Sequence, residues 1–335
     1  MLGEGDELSV ADRDPGDVLG RDGLLVVGQH VGRHPTQPAE GLVQRGEHGR
    51  HGLIAQRDHD PEPRPRQPRH ELAGVKVVGD FYRNYEQGLP SELALLNLFD
   101  PTNGVPVAII DASDITDMRT GAVTAIGAKH LARKHSKVLG HIGARGTSYW
   151  NVRLLHSIFE FEEIRVHSRR PQSREAFAAR LERDLGAKIT ITEDWESCVR
   201  GADIVVEASR LEKPEPKLKT AWIKKGACVI PYGTMSAVEL SLTDIMDKIV
   251  MDDWGQAKAG PLGALRAHVD SGRLSERNLH AELGQIVAGL KPGRESDDET
   301  NLFWHRGLSL SDISLGAAML EKAKRMKLGQ SLRFR

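Results

Sequence analysis

The sequence predicts an α/β fold, a doubly wound parallel sheet joined to a second, smaller α+β domain. Three observations predict it. From residue 137 onward, short apolar runs alternate with segments whose apolar residues fall at helical spacing, the signature of strands joined by crossover helices. A turn of small residues, Gly143-Ala144-Arg145-Gly146-Thr147-Ser148, joins the first of those runs to the first helix. Upstream, residues 74–111 read instead as neighbouring strands, two of them joined by a tight turn.

Val138 to Ile142 is a buried-strand run, Tyr149 to Phe159 is helical in period, and Glu163 to His167 alternates as a second strand. Strand, glycine turn, helix, strand opens a Rossmann-type dinucleotide-binding domain. There, backbone N–H groups and the helix N-terminus approach a pyrophosphate. Gly140, Gly143 and Gly146 recur every third residue, and the G-x-G-x-x-G spacing is absent. Gly143, Ala144, Arg145, Gly146, Thr147 and Ser148 are the candidate cradle. After the second strand comes His167-Ser168-Arg169-Arg170. An acid here commonly grips a ribose 2′-hydroxyl, whereas an arginine accommodates a 2′-phosphate. Ser168 and Arg169 therefore favour NADP(H), with NAD(H) as the alternative and a ligand-free charged loop as the plain reading.

The alternation continues. Residues 171–185 form a helix with Pro171 near its start, and Ile189 and Ile191 mark a third strand. Trp195 to Gly201 is a short helix and Ala202 to Ala208 a fourth strand, ended by Ser209 on the edge where such sheets place their ligand. Gly226 to Pro231 is a fifth strand, followed by the loop Tyr232-Gly233-Thr234-Met235-Ser236, and Lys248 to Asp253 is a sixth. Leu302 to His305 is a short apolar run. Ser309 to Ser311 then cap a long helix ending near Lys327-Leu328-Gly329. Asp312, in its first turn, either complements the helix dipole or holds a water or substrate amine.

Ahead of the turn, Gly74 to Phe81 reads as a strand with Lys76 among apolar neighbours, either an edge lysine facing water or a cation for a carboxylate. Leu93 to Phe99 and Pro106 to Asp111 form a hairpin around Asp100-Pro101-Thr102-Asn103-Gly104. Asp114 or Thr116 caps a helix from about Asp117 to Arg133, which places Arg119 in its first turn. A cation is unfavourable at that end of the helix dipole, so Arg119 reads as kept for an anion, beside the ordinary reading of a surface arginine. Residues 1–73 contain no Lys, Asn, Cys, Phe, Tyr or Trp and a single Ile, Ile54. Such a stretch has little to build a core with. It reads as a disordered extension or as GC-rich DNA translated in a shifted frame, and no function is assigned to it.

A formal net charge of −1 gives no electrostatic case for a nucleic acid or an acidic membrane as partner. No apolar run approaches the roughly 20 residues that span a bilayer, and no basic-then-apolar leader opens the chain. Cys198 and Cys228 stand in apolar contexts and read as buried free thiols in a reducing cytoplasm. The histidines are scattered, without ligand spacing for a metal.

Taken together, GVKVV (74–78), ITDMRTGAVTAIGAKHLAR (115–133), the glycine turn, GADIVVEAS (201–209), VEL (238–240), HAELGQIVAGLKPGR (280–294) and TNLFWHRGLSLSDISLGAAMLEKAK (300–324) resemble the ornithine cyclodeaminase/mu-crystallin family, from Gly74 to about Gly329. The resemblance implies a two-domain homodimer. Residues 130–305 would form the Rossmann domain for NAD(H) or NADP(H), and 74–129 plus 306–335 a substrate and dimerisation domain. Family members carry a comparable length of chain before the segment matching Gly74, which is what suggests a shifted frame over 1–73. By position, Lys76 and Arg119 would hold the substrate carboxylate, and a further family arginine from the N-terminal segment has no counterpart. Arg145 stands where the family usually has glycine. The cyclodeaminases place a catalytic aspartate near Gly233, and the loop here has no carboxylate. Members lacking it resemble reductases of imines or dehydrogenases of amino acids. The resemblance thus implies a ketimine reductase-like enzyme acting on the C–N bond of an imino or amino acid, and the position of Asp312 makes it, or a bound water, the candidate proton donor. The alternatives are redox-neutral conversion of ornithine to proline and ammonia, and a non-catalytic NADP(H)-binding protein.

Overall fold

The computed structural model describes residues 23–27, 72–81, 83–90, 92–260 and 262–333. Most of the coreless stretch 1–73 lies outside them, but Gly23–Val27 forms a strand, β1. By backbone contact the chain divides into two units. One comprises Leu93–Ala112, Ile313–Arg335 and the described residues up to Gly79, and the other comprises Asp80–Glu92 and Ser113–Asp312.

The first unit is a five-stranded sheet. After β1 come β2 (Ala73–Asp80), β3 (Glu92–Phe99) and β4 (Pro106–Asp111). The predicted hairpin is present: β3 and β4 pair antiparallel from Leu95 opposite Asp111 to Phe99 opposite Pro106. Its turn is closed by side chains. The Asp100 carboxylate accepts the Thr102 N–H at 2.8 Å, and the Asn103 side-chain oxygen accepts the Val105 N–H at 2.9 Å. Leu96, Leu98, Ala108 and Ile110 are buried, while Leu93 and Leu95 on the opposite face are exposed, the alternation of a half-covered sheet.

The second unit opens with α1 (Ser113–Leu131), which begins four residues earlier than its apolar period suggested. Ser113 and Asp114 supply the polar start, and Ile115 is already fully buried. Arg119 is therefore the seventh residue of the helix, beyond the first turn. The dipole conflict read from the sequence does not arise, since that effect fades within one turn. There follow β5 (Val138–Ile142), α2 (Ser148–His156), β6 (Glu163–His167), α3 (Pro171–Leu185), β7 (Ile189–Ile191), α4 (Trp195–Val199), β8 (Ile204–Glu207), β9 (Cys228–Pro231) and β10 (Lys248–Met251). Then come α5 (Trp254–Ala259), α6 (Arg266–Asp270), β11 (Ala281–Glu282), α7 (Leu283–Val287), β12 (Asn301–Trp304) and α8 (Ser309–Met326), whose residues from Ile313 on group with the first unit. β13 (Gln330–Arg333) returns to the first sheet, whose order is β13-β1-β4-β3-β2. α3 shows the expected punctuation, with Pro171 in its first turn and Gly186 ending it at φ 66°.

The large sheet is parallel throughout, in the order β11-β10-β12-β9-β8-β5-β6-β7. It has two more strands than the sequence suggested, β11 and β12. The short apolar run read at Leu302 to His305 belongs to β12, Asn301–Trp304, a strand between β9 and β10. Successive residues feed opposite cores. Ile204, Val206, Ile230, Val250 and Phe303 face one, and Val205, Val229, Ile249, Leu302 and Trp304 the other. Burial on both faces is why these strands read as continuous apolar runs.

Candidate functional site

The ligand edge of the parallel sheet is built around the turn between β5 and α2. Gly143 adopts φ +119°, and a Cβ there would stand 2.8 Å from the Ala208 carbonyl oxygen, so only glycine lets the turn lie against the end of β8. Gly146 adopts φ +54°. Between them Ala144 and Arg145 line a depression of about 380 Å³ with Gly146, Tyr149 and the α3 residues Gln172, Ser173, Ala176, Phe177 and Arg180. α2 begins directly after Thr147, whose side chain makes no capping bond. Ser148 is fully buried and its hydroxyl has no hydrogen-bond partner within the protein.

A buried hydrogen-bonded chain holds this turn from below. His141, wholly buried, lies 3.1 Å from the Gly143 carbonyl through Nδ1. Burial pushes the imidazole down to about 4, so the ring is neutral and Nδ1 carries the proton that the carbonyl accepts. Nε2 then accepts from the Asn151 amide at 3.1 Å, and the same amide donates to the Tyr232 hydroxyl. Tyr232 also bonds the Thr147 hydroxyl at 2.6 Å. Thr147 is thus committed to Tyr232, and the loop after β9 is tied to the start of α2.

Beyond Tyr232 stands the Arg119 cluster. The Tyr232 ring stacks on His305 at 4.4 Å, and Phe303 stacks on the same imidazole at 5.2 Å. His305 Nε2 lies 2.9 Å from the Thr124 hydroxyl of α1. Burial first, and the nearby Arg119 second, push His305 down to about 3, so it too is neutral. Arg119 forms an ion pair with Asp312 in the first turn of α8, Nε to Oδ1 3.0 Å, with both side chains largely buried. Asp312 is thereby a charge partner for Arg119 as well as a dipole complement. The Arg119 Nη1 is buried without a hydrogen-bond partner in the protein. A Cβ on Gly307 would fall 1.6 Å from it, so the guanidinium rests against bare backbone. Asp252, after β10, fixes that backbone by accepting the Arg306 and Gly307 N–H groups at 2.7 and 2.8 Å.

The loop Tyr232 to Ser236 carries no carboxylate of its own, but a neighbouring strand end brings one against it. Glu207 is fully buried. One oxygen accepts both the Ser209 N–H (2.8 Å) and its hydroxyl, and the other accepts the Gly233 N–H at 3.2 Å. It clamps the loops after β8 and β9 together, and burial pushes its carboxyl up to about 7. Asp117 is raised to about 7 as well, by burial and then by Glu92 and Asp114. Its Oδ1 lies 3.6 Å from where a Gly146 Cβ would stand.

The structure therefore brings Arg119 and Asp312 into contact, and it gathers Gly143, Ala144, Arg145, Gly146, Thr147, Ser148 and Ser209 at one sheet edge. Ser168 and Arg169 follow β6, and Arg169, exposed, lies 3.6 Å from Glu212. Lys76 belongs to the other unit, half-buried on the edge strand β2. Glu207, His305, Tyr232, Asn151 and Asp117 were missed. Each is a single polar residue in or just after an apolar or helical run, and only the fold brings the ends of these runs together.

A parallel doubly wound sheet with a positive-φ glycine turn abutting its central strand end defines a dinucleotide-binding protein. The chain belongs to the ornithine cyclodeaminase/mu-crystallin family, whose model matches residues 63–327. It is 33% identical over 266 residues to alanine dehydrogenase of Archaeoglobus fulgidus, covering 78% of this chain and 80% of that protein. A solved structure of Delta(1)-pyrroline-2-carboxylate reductase of Thermococcus litoralis, in complex with NADH and L-proline, is 31% identical. It superposes with a TM-score of 0.70 over 77% of this chain and 80% of its own. An archaeal alanine dehydrogenase dimer with bound NAD gives a TM-score of 0.73 at 31% identity, over 79% and 82% of the two chains.

Proposed function

We propose that this protein is a nicotinamide-dependent reductase of the C=N bond beside a carboxylate, interconverting an imino acid and an amino acid, with NADP(H) preferred over NAD(H). The observation that carries the reading is Arg119. It is a buried guanidinium with one side on Asp312 and Nη1 left without a protein partner, near the neutral, buried His305, on which the half-buried Tyr232 stacks. A buried donor left unmade is costly, and a substrate carboxylate satisfies it with a charge-assisted hydrogen bond.

The residues at the turn fit a dinucleotide. The positive-φ glycine turn leaves the space a side chain would fill, Ser148 offers an unpartnered buried hydroxyl at the start of α2, and Ser168 and Arg169 follow β6, a position at which an arginine favours a 2′-phosphate. Gly143, Ala144, Arg145 and Gly146 would hold the pyrophosphate region, with Thr147, Ser148 and Ser209 bordering it. The bound cofactor supplies or accepts hydride, the chemistry for which the protein provides orientation. Arg119 fixes the substrate carboxylate. Asp312, 3.0 Å from Arg119, orients the guanidinium, and a water supplies the proton that the imine nitrogen takes up. Neutral His305 and Tyr232 wall the pocket without adding a competing charge. The two relatives with known activity, a reductase of a cyclic imino acid and an amino-acid dehydrogenase, support the same chemistry. Glu207 is spent on three hydrogen-bond donors beneath the loop, so it presents no carboxylate to the substrate as a cyclodeaminase would require.

The same reading makes the protein a homodimer joined through the outer face of the small sheet. Val75 and Val77 on β2 and Leu93 and Leu95 on β3 are exposed together, and the archaeal alanine dehydrogenase is a dimer. The test of function is NADPH consumption with a cyclic imino acid. Wild-type protein turns over and Arg119→Ala loses turnover by at least about a hundredfold while still binding NADPH. Unchanged turnover in Arg119→Ala refutes the role. Ammonia release from ornithine without net change in nicotinamide absorbance replaces the reductase reading with the redox-neutral one.

A further inference from the structure

Thr147 stands at the position that caps α2, yet its hydroxyl does not cap the helix. A threonine there ordinarily accepts an N–H of its own first turn. Here the backbone is already helical, at φ −60° and ψ −17°, and the side chain turns to the Tyr232 hydroxyl at 2.6 Å instead. The first N–H groups of α2 are thereby left uncapped by Thr147, at the end of a helix that favours an anion.

The direction of every hydrogen in the chain beneath the turn follows from one end of it. His141 is neutral and has a single N–H to give. The Gly143 carbonyl, 3.1 Å from Nδ1, can only accept, so the hydrogen is on Nδ1 and Nε2 is an acceptor. The Asn151 atom 3.1 Å from Nε2 must then be the amide nitrogen, since the oxygen would set two acceptors face to face. The same nitrogen gives its second hydrogen to the Tyr232 oxygen. In the plane of its ring a phenol oxygen offers one lone pair and one hydrogen. Asn151 takes the lone pair, which leaves the Tyr232 O–H for Thr147 Oγ1. Were Thr147 the donor, the Tyr232 hydrogen would have no acceptor among the described residues, and an unmade bond of that kind is costly. The threonine oxygen therefore accepts, and its own hydrogen is the one left over. Tyr232 is held from its other sides as well. Its ring stacks on His305 at 4.4 Å, and Glu207 accepts the N–H of the next residue, Gly233, at 3.2 Å.

We infer that Tyr232 is a positioning residue of the cofactor turn, one that holds the half-buried Thr147 hydroxyl as an acceptor so that its remaining hydrogen is donated to a pyrophosphate oxygen of the dinucleotide. This rests on the dinucleotide reading above and holds for NAD(H) and NADP(H) alike. Tyr232 acts through Thr147 and touches no phosphate itself.

The experiment is calorimetric titration of the full chain with NADPH and, separately, with NADH, because both carry the pyrophosphate and the readout needs no turnover. Thr147→Val weakens the nucleotide bound by wild type by about tenfold, the loss of one hydrogen bond to a charged oxygen. Tyr232→Phe keeps a ring on His305 and weakens it by about three- to tenfold. Added to Thr147→Val, the same change costs less than about a further twofold, since the hydroxyl it acts through is already gone. Thr147→Ser keeps the hydroxyl, binds within about threefold of wild type, and is again weakened by Tyr232→Phe. Losses that multiply in the Thr147→Val/Tyr232→Phe double variant make Tyr232 a support of its loop alone and overturn the inference. Unchanged affinity in Tyr232→Phe overturns it too. A wild-type protein that binds neither nucleotide is a distinct outcome, which sinks the dinucleotide reading itself, and the inference with it, before any variant is made.

Discussion

Glu207→Gln isolates the buried carboxyl that joins the two loops at the ligand edge. Burial raises this group from 4.5 to about 7, so the folded protein keeps a proton that the unfolded chain has released. Its stabilising contribution is full below the unfolded value and is lost as pH rises through 7. From about pH 5 to about pH 8 the loss at this one site comes to about 2.5 kcal/mol. Gln carries no such proton. It also turns an N–H toward the Gly233 N–H in place of an acceptor, an offset of about 1–3 kcal/mol that does not vary with pH. The stability difference between variant and wild type, from urea unfolding followed by tryptophan emission, therefore moves by about 2.5 kcal/mol in the variant's favour over that range, whatever the offset. The wild-type curve alone cannot show this. His141 and His305 are depressed from 6.5 to about 4 and about 3, so their contributions are present above 6.5 and lost as pH falls, opposite in slope to Glu207. Parallel pH–stability curves for the two proteins refute the reasoning.

Other expectations follow from the same geometry. Gly143→Ala forces a Cβ to 2.8 Å from the Ala208 oxygen at φ +119° and costs about 2 kcal/mol or more, seen as a Tm lower by several degrees together with lost NADPH binding. Asp312→Ala leaves Arg119 buried without its partner and destabilises by about 3–5 kcal/mol, whereas the double change with Arg119→Ala costs clearly less than the sum of the two singles. Strict additivity in that cycle would show that the two groups do not interact. Thr124→Val removes the hydroxyl beside His305 Nε2 and costs about 1–3 kcal/mol by urea unfolding. Cys198 and Cys228, buried with thiols pushed up to about 12, stay unreactive toward a disulfide reagent in the native protein at mildly alkaline pH and both react in urea.

Much of the fold was legible because the period changes along the chain. The boundaries of β5, β6 and α3 fell within a residue or two of the apolar and punctuation signals, since Pro171 and Gly186 act locally. The start of α1 was misplaced because Ser113-Asp114-Ile115 looks like a turn until Ile115 is seen to be buried. β12 was left as a short apolar run because periodicity says that a run is apolar, not which strand it lies beside. The same limit governed the site. The glycine turn stood out because its chemistry is contiguous, Arg119 by its place near a helix start and by the family resemblance, and Asp312 by its place in the first turn of the last helix. Glu207 and Tyr232 lie 25 residues apart and meet only because β8 and β9 pair in parallel register, Glu207 opposite Pro231. A buried acid within IVVE has no local signature that separates it from a misfit.

The insertion of β12 between β9 and β10 sets an order of events. β7, β6, β5, β8 and β9 can assemble from residues 138–231, each beside a neighbour already made. β10 and β11, though synthesised next, have no sheet edge to join until residues 301–304 arrive to bridge them to β9. A nascent chain stopped before Asn301 thus holds two short parallel strands, Ile249 and Val250 among them, beside an uncapped edge of β9. That interval leaves unpaired strand edges open to misassembly. Its last-made strand serves as the keystone of the sheet.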